Sequence, residues 1–205
     1  MATPSKTGKT LIQYNCKNGV YSIDGTEVKP LTFLSTVSLD KNMASTNIIG
    51  DGEVQITLLS DKGSTGTLNT TAHDEDFEVD LGFLQELSNG MAEVQIVENK
   101  TISIGFEAYY MGNDGVQKTK KIWLLGVNVS PAGESYSQTT DAPNYTDASY
   151  GLTVKGVNLK ATGGTTDYVD ANGNTKKVFK MRSVPTDSFY ETFFDSVPTP
   201  TVKAE

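Results

Sequence analysis

TISIGFEAYY at 101–110 and KTKKIWLLGVN at 118–128 decide how this chain folds. Both runs are rich in β-branched and aromatic residues, and Gly112-Asn113-Asp114-Gly115 lies between them, so the pair reads as one long β-hairpin. In the second arm, Ile122, Trp123, Leu124, Leu125 and Val127 leave no polar face. A strand that is apolar on both faces belongs inside a sheet with packing on each side. Pro131-Ala132-Gly133 ends the run.

The strand signature continues outward in both directions. Over 53–60, Val54, Ile56 and Leu58 alternate with Glu53, Gln55 and Thr57, which predicts a strand. Asp61-Lys62-Gly63 reads as a tight turn into a Thr-rich strand over 65–71, and so as a second hairpin. Residues 31–37, 91–97 and 150–159 read as further strands. Residues 11–14 read as a short strand or a clipped-on arm. Asp24-Gly25 reads as a turn, and 170–174 as the turn of a hairpin between 168–169 and 178–181. A single helix is predicted over 74–88, with Asp74 as N-cap and Phe77, Leu81 and Leu84 in one stripe; Gly82 weakens it and Asn89-Gly90 ends it. The aromatic run 189–194 is expected to pack on the body. The expected class is mainly β: a β-sandwich or barrel with one flanking α-helix. Its parts are an N-terminal arm (1–18), one domain (19–197) and an exposed C-terminal end (198–205).

Segment 38–52 lies between two predicted strands and reads as a long loop, a class that is often functional. Its Asp40, Lys41, Asn42, Met43, Ile48 and Ile49 are the candidate assembly residues. Met43, Ile48 and Ile49 are apolar residues that a solvent-facing loop avoids. They either pack back on their own domain or seal against another subunit.

The chain has 205 residues, enough for one domain with a real core, and a formal charge of −8. A face built to hold nucleic-acid phosphates is basic, and with this balance most of the surface is expected to repel them instead. One cysteine, Cys16, allows no internal disulfide. No apolar run reaches the length of a membrane span, and the first ten residues lack a signal-peptide core. The expectation is a protein made and folded in the cytoplasm.

Residues for chemistry are sparse. His73 is the single histidine; beside Asp74 and Asp76 it reads as an exposed cap-region residue rather than a metal ligand. No nucleophile-elbow pattern accompanies it. Gly8-Lys9-Thr10 resembles the end of a P-loop, but the required upstream glycine is Thr3. The calcium-loop pattern from Asp170 fails where Thr175 and Met181 replace its Gly and Glu. Asn69, Asn99, Asn128 and Asn144 begin Asn-x-Ser/Thr triplets, which Thr-rich chains form by chance. Glu75, Asp76 and Glu78 read as a solvated helix face, and Trp123 as core. No set supports an enzyme mechanism, metal or cofactor.

The order of these signatures resembles a known family. It runs from Gly50-Asp51-Gly52-Glu53-Val54 through Leu59-Ser60-Asp61-Lys62-Gly63-Ser64-Thr65-Gly66 to Asp74-Glu75-Asp76-Phe77-Glu78 with Leu81-Gly82. Lys120-Lys121-Ile122-Trp123-Leu124 and Val184-Pro185-Thr186-Asp187 follow. Across about 19–197 this is similar to the phi13-type major tail proteins of siphophages that infect Gram-positive bacteria. The resemblance implies a virion protein, a tail tube subunit that forms six-membered rings stacked into a tube. Its partners would be itself and other tail proteins: tape measure, tail terminator and distal tail protein. DNA would pass through without specific binding, repelled by an acidic lumen. On this analogy 38–52 and 1–18 join rings. Two other readings stay open: a bacterial surface adhesion sandwich, and a carbohydrate-binding module whose exposed aromatics would come from Tyr136, Tyr145 and Tyr150.

Overall fold

A computed structural model describes residues 12–111, 115–133 and 147–203. The strands in chain order are β1 (Ile12–Ser22), β2 (Lys29–Leu31), β3 (Leu34–Gly50) and β4 (Glu53–Thr70). Helix α1 (Glu75–Leu81) follows, then β5 (Leu84–Leu87), β6 (Gly90–Glu93), β7 (Thr101–Met111) and β8 (Gln117–Ser130). The remainder is β9 (Ala148–Val154), β10 (Val157–Asn158), β11 (Lys177–Val178) and β12 (Lys180–Ser183). The protein is mainly β, with a large antiparallel sheet and one short helix, and the sheet does not close into a barrel.

The main sheet runs β2-β1-β7-β8-β9-β4-β3. β7 and β8 pair from Thr101↔Asn128 to Met111↔Gln117, as the opening stretch predicts. The other edge of β8 is shared: β12 pairs with its first half at Met181↔Trp123, and β9 with its second half at Val127↔Val154. The sheet curls far enough for the Cys16 thiol to donate to the Ser35 carbonyl at 3.3 Å.

Alternation sends Ile122 and Leu124 to one side of β8, and Trp123 and Leu125 to the other. The first side meets Tyr21, Leu68, Ile104 and Tyr150, together with Phe77 and Leu81 of α1. The second is covered by the C-terminal aromatic segment. Phe193 packs on Trp123, whose indole Nε1–H donates to the Phe193 carbonyl at 2.7 Å. Full burial of each such side chain stabilises the fold by about 1.5–3 kcal/mol relative to exposure.

Several expectations are corrected. The helix is half the length predicted over 74–88. Asp74 caps it, accepting from the Phe77 amide, but Gly82 takes a left-handed conformation and the Phe83 amide bonds back to the Glu78 carbonyl. Leu84 and Leu87 therefore leave the helical stripe for the β5–β6 hairpin. The supposed turn at Asp61-Lys62-Gly63 is a bulge within one continuous strand, β4. The Asp61 carboxylate accepts from the Gly63 amide there, satisfying locally a donor the ladder skips. Of the 1–18 arm, residues from Ile12 onward are a sheet strand paired with β7; 1–11 lie outside the described residues. The 198–205 end is not simply exposed. Pro200 is buried, and Thr201 bridges to Lys160 in parallel.

Candidate functional site

The 38–52 loop does not exist. Residues 38–50 form most of β3, paired with β4 through Ile48↔Ile56, Ile49↔Val54 and Gly50↔Glu53. The turn is Asp51-Gly52, with φ of 54° and 83°. Two consecutive positive φ values suit an Asp-Gly hairpin turn, whose twist matches the strands it joins. Gln55 is bulged out of the ladder, and its side-chain amide donates to the Gly50 carbonyl at 3.0 Å.

β4 touches β9 only over Ser64↔Val154 to Thr70↔Ala148. Beyond Ser64 the hairpin continues as a two-stranded ribbon, with no third strand among the described residues. Gly63 marks the departure: its φ is 97°, and a Cβ there would collide with the Val154 carbonyl. From the Lys41↔Ser64 pair to the Gly50↔Glu53 pair β3 advances nine residues, roughly 30 Å at 3.3 Å each.

The ribbon is apolar and uncovered. Ile49 is 68% exposed, Leu59 71% and Met43 52%, and Ile48, Val54, Ile56 and Leu58 are exposed as well. Ile48 faces Ile56 across the ladder and Leu58 follows on that side, while Leu59 points to the opposite one. Both faces therefore carry bare aliphatic surface. The reading in which Met43, Ile48 and Ile49 fold back on their own domain is overturned. At the ribbon's base Lys41 pairs with Asp61 at 2.9 Å and stands 4.8 Å over the Phe179 ring. The lysine draws the Asp61 carboxyl below its usual range, with the Gly63 amide adding to the effect. Asp40 pairs with Thr65 across the ladder, and Asn42 is exposed in the register shift between Lys41 and Met43. Asp51 and Glu53 are the only charged residues between Lys41 and Asp61.

A second polar cluster lies under the helix, and it is structural. Glu78 is buried, not solvated: its Oε1 accepts from the Tyr150 hydroxyl at 2.6 Å and lies 2.8 Å from His73 Nδ1. His73 is correspondingly half-buried rather than exposed. Burial, and then the Glu78 carboxylate, push the Tyr150 phenol well above its ordinary value. Asp80 accepts from Tyr21 at 2.6 Å and Lys29 at 2.7 Å. Burial acts to raise its pKa, but the Lys29 and Tyr21 hydrogen bonds outweigh it and hold the carboxyl below the usual range. Every carboxylate in this network that is buried has partners within its own fold. Among the described residues no group of three or more His, Cys, Asp or Glu is placed to hold a metal ion. Among the described residues no helix is long and apolar enough to cross a membrane.

Tyr150 is fully buried, so it cannot belong to an exposed aromatic row; Tyr136 and Tyr145 lie outside the described residues. In comparisons with known proteins, the chain matches no protein-family model and no curated protein.

Proposed function

We propose that this chain is a structural subunit that assembles with copies of itself, in the manner of a phage tail tube protein. The observation that supports this reading is the ribbon. A two-stranded hairpin with no third strand is marginal in water. This one exposes a long strand edge and apolar side chains on both faces, the combination that neighbouring subunits bury. Ribbons set side by side in a ring pair edge to edge and leave no free edge once the ring closes. The chain's charge fits the same reading: copies of net charge −8 give stacked rings an acidic balance that repels phosphate and lets DNA pass unbound. Tape measure, tail terminator and distal tail proteins are the other partners of such a tube, and the role needs no catalysis.

Negative-stain microscopy of the concentrated protein, with light scattering, tests the proposal. The full chain forms rings or hollow tubes. A variant in which 43–60 is replaced by a two-residue turn keeps the folded body and stays a single copy. Assembly of that variant equal to the full chain's would overturn the reading.

A further inference from the structure

A groove of about 380 Å³ lies beside the ribbon's base, between the start of the ribbon and β11–β12. Its floor is apolar, made by Leu124, Val154 and Phe179; Lys41, Lys177 and Lys180 stand around it, and no carboxylate lines it. Lys41 is partly neutralised by Asp61, whereas Lys177 and Lys180 are exposed. The positive potential extends past the lining. Burial first, and then the neighbouring Arg182 and Lys180 charges, hold Lys120 below the ordinary lysine range. In a chain of net charge −8 this is a local reversal of sign.

The ribbon's far end is the opposite kind of surface. Asp51 and Glu53 are carboxylates at and beside the turn, and exposed Ile49 and Val54 pair directly behind them. An acidic tip with an apolar shoulder matches a groove with basic walls and an apolar floor. The volume admits the tip's side chains, not the whole hairpin. The tip cannot reach its own chain's groove, because the ribbon holds them nine residues apart along β3.

We infer that the Asp51–Glu53 tip of one copy docks in the Lys177/Lys180 groove of a second copy. This rests on the assembly reading above and adds a contact to it. The contact is head-to-tail: each copy offers a tip at one end and a groove at the other. Such a heterologous contact repeats without closing. It displaces successive copies by about the ribbon's length, roughly 30 Å, along the ribbon axis. It therefore joins one ring to the next, while ribbon edges join neighbours within a ring.

A charge exchange on the full chain tests it. One variant reverses the groove, Lys177→Glu with Lys180→Glu. The other alters the tip, Asp51→Asn with Glu53→Lys; asparagine keeps the Asn-Gly turn that a lysine at positive φ would strain. Each variant alone forms single rings, with stacking weakened at least about tenfold, as read by tube length in micrographs and by sedimentation. An equal mixture restores stacking, since the basic altered tip meets the acidic altered groove and the acidic native tip meets the basic native groove. Rising salt weakens the native contact, because exposed charges are screened beyond about 10 Å at 0.1 M. Full-length tubes from either variant alone, or a mixture no better than its components, overturn the docking and leave the ring reading standing. A native chain that forms rings which never stack does the same. A native chain that stays a single copy at every concentration overturns both.

Discussion

The β7–β8 hairpin and the outer half of the β3–β4 hairpin are built from similar residues and end in different surroundings. β8 alternates Ile122 and Leu124 against Trp123 and Leu125, and the chain covers both sides itself, with α1 and β9 on one and Phe193 on the other. The ribbon carries Ile48, Ile56 and Leu58 on one side and Leu59 on the other, and the chain covers neither. Apolar content alone does not separate a core strand from an assembly strand. What separates them is whether a layer within the same chain is available. In β8 the apolar residues hold one molecule together; in the ribbon they remain for another molecule.

That contrast can be broken from either side. The largest effect is expected at Trp123→Ala, which empties a fully buried site and removes the hydrogen bond to the Phe193 carbonyl. Stability falls by about 3–5 kcal/mol, measured by urea unfolding; a loss under 1 kcal/mol would mean the C-terminal cover is not packed as described. Tyr150→Phe is the next largest. It leaves the buried Glu78 carboxylate short of one donor and costs about 1–3 kcal/mol, read by the same titration.

Asp80→Asn acts through pH. The folded-state pKa of Asp80 is depressed, so its contribution is present above the unfolded-state value of about 3.9. It is lost as pH falls through the lower folded-state value. The acid limb of the stability–pH curve is therefore shallower in the variant, with the difference confined to about pH 4 and below. A difference that persisted unchanged below the folded-state value would contradict the assignment. Lys29 carries the opposite sign: its pKa is raised by the hydrogen bond to Asp80, so its share is lost only as pH rises through that higher value.

The smallest effect on the single chain belongs to the ribbon. Ile49→Thr with Leu59→Thr changes its stability by no more than about 0.5 kcal/mol, because both side chains are already in water, yet it lowers assembly as measured by light scattering. If the pair cost as much as Trp123→Ala, the ribbon would be packed within its own chain and the comparison would collapse.

Much of the body was legible in the sequence. The 101–128 hairpin, the two-sided burial of β8, the Asp74 cap and the packing of 189–194 all follow from alternation, turn chemistry and capping. The ribbon is hidden in the sequence for a local reason. Asp61-Lys62-Gly63 carries the chemistry of a turn, and that same chemistry serves a bulge, where Gly63 takes positive φ and the Asp61 side chain satisfies the skipped amide. Assigning the turn there left 38–52 without a partner strand. Asp51-Gly52 was the competing signal, an Asp-Gly pair flanked by Ile48-Ile49 and Val54, and it marks the hairpin end. The six candidate residues do lie on the ribbon and at its base. The groove was not legible, because Lys41, Val154 and Lys180 meet only through long-range pairing. The buried roles of Glu78 and His73 likewise depend on Tyr150, which lies 72 residues beyond Glu78 in the chain.

The same kind of separation sets a clock on synthesis. Trp123 and the carbonyl that caps its indole are 70 residues apart, which is roughly 4–14 s of translation at 5–20 residues per second. For that interval the Trp123 and Leu125 side of the nascent sheet is bare, while the ribbon, made earlier from 34–70, is already outside the ribosome. A chain released before Phe193 thus displays two sticky surfaces where the finished one displays a single ribbon, and chaperones that bind exposed apolar strands have a physical basis for holding the unfinished chain apart from its completed copies.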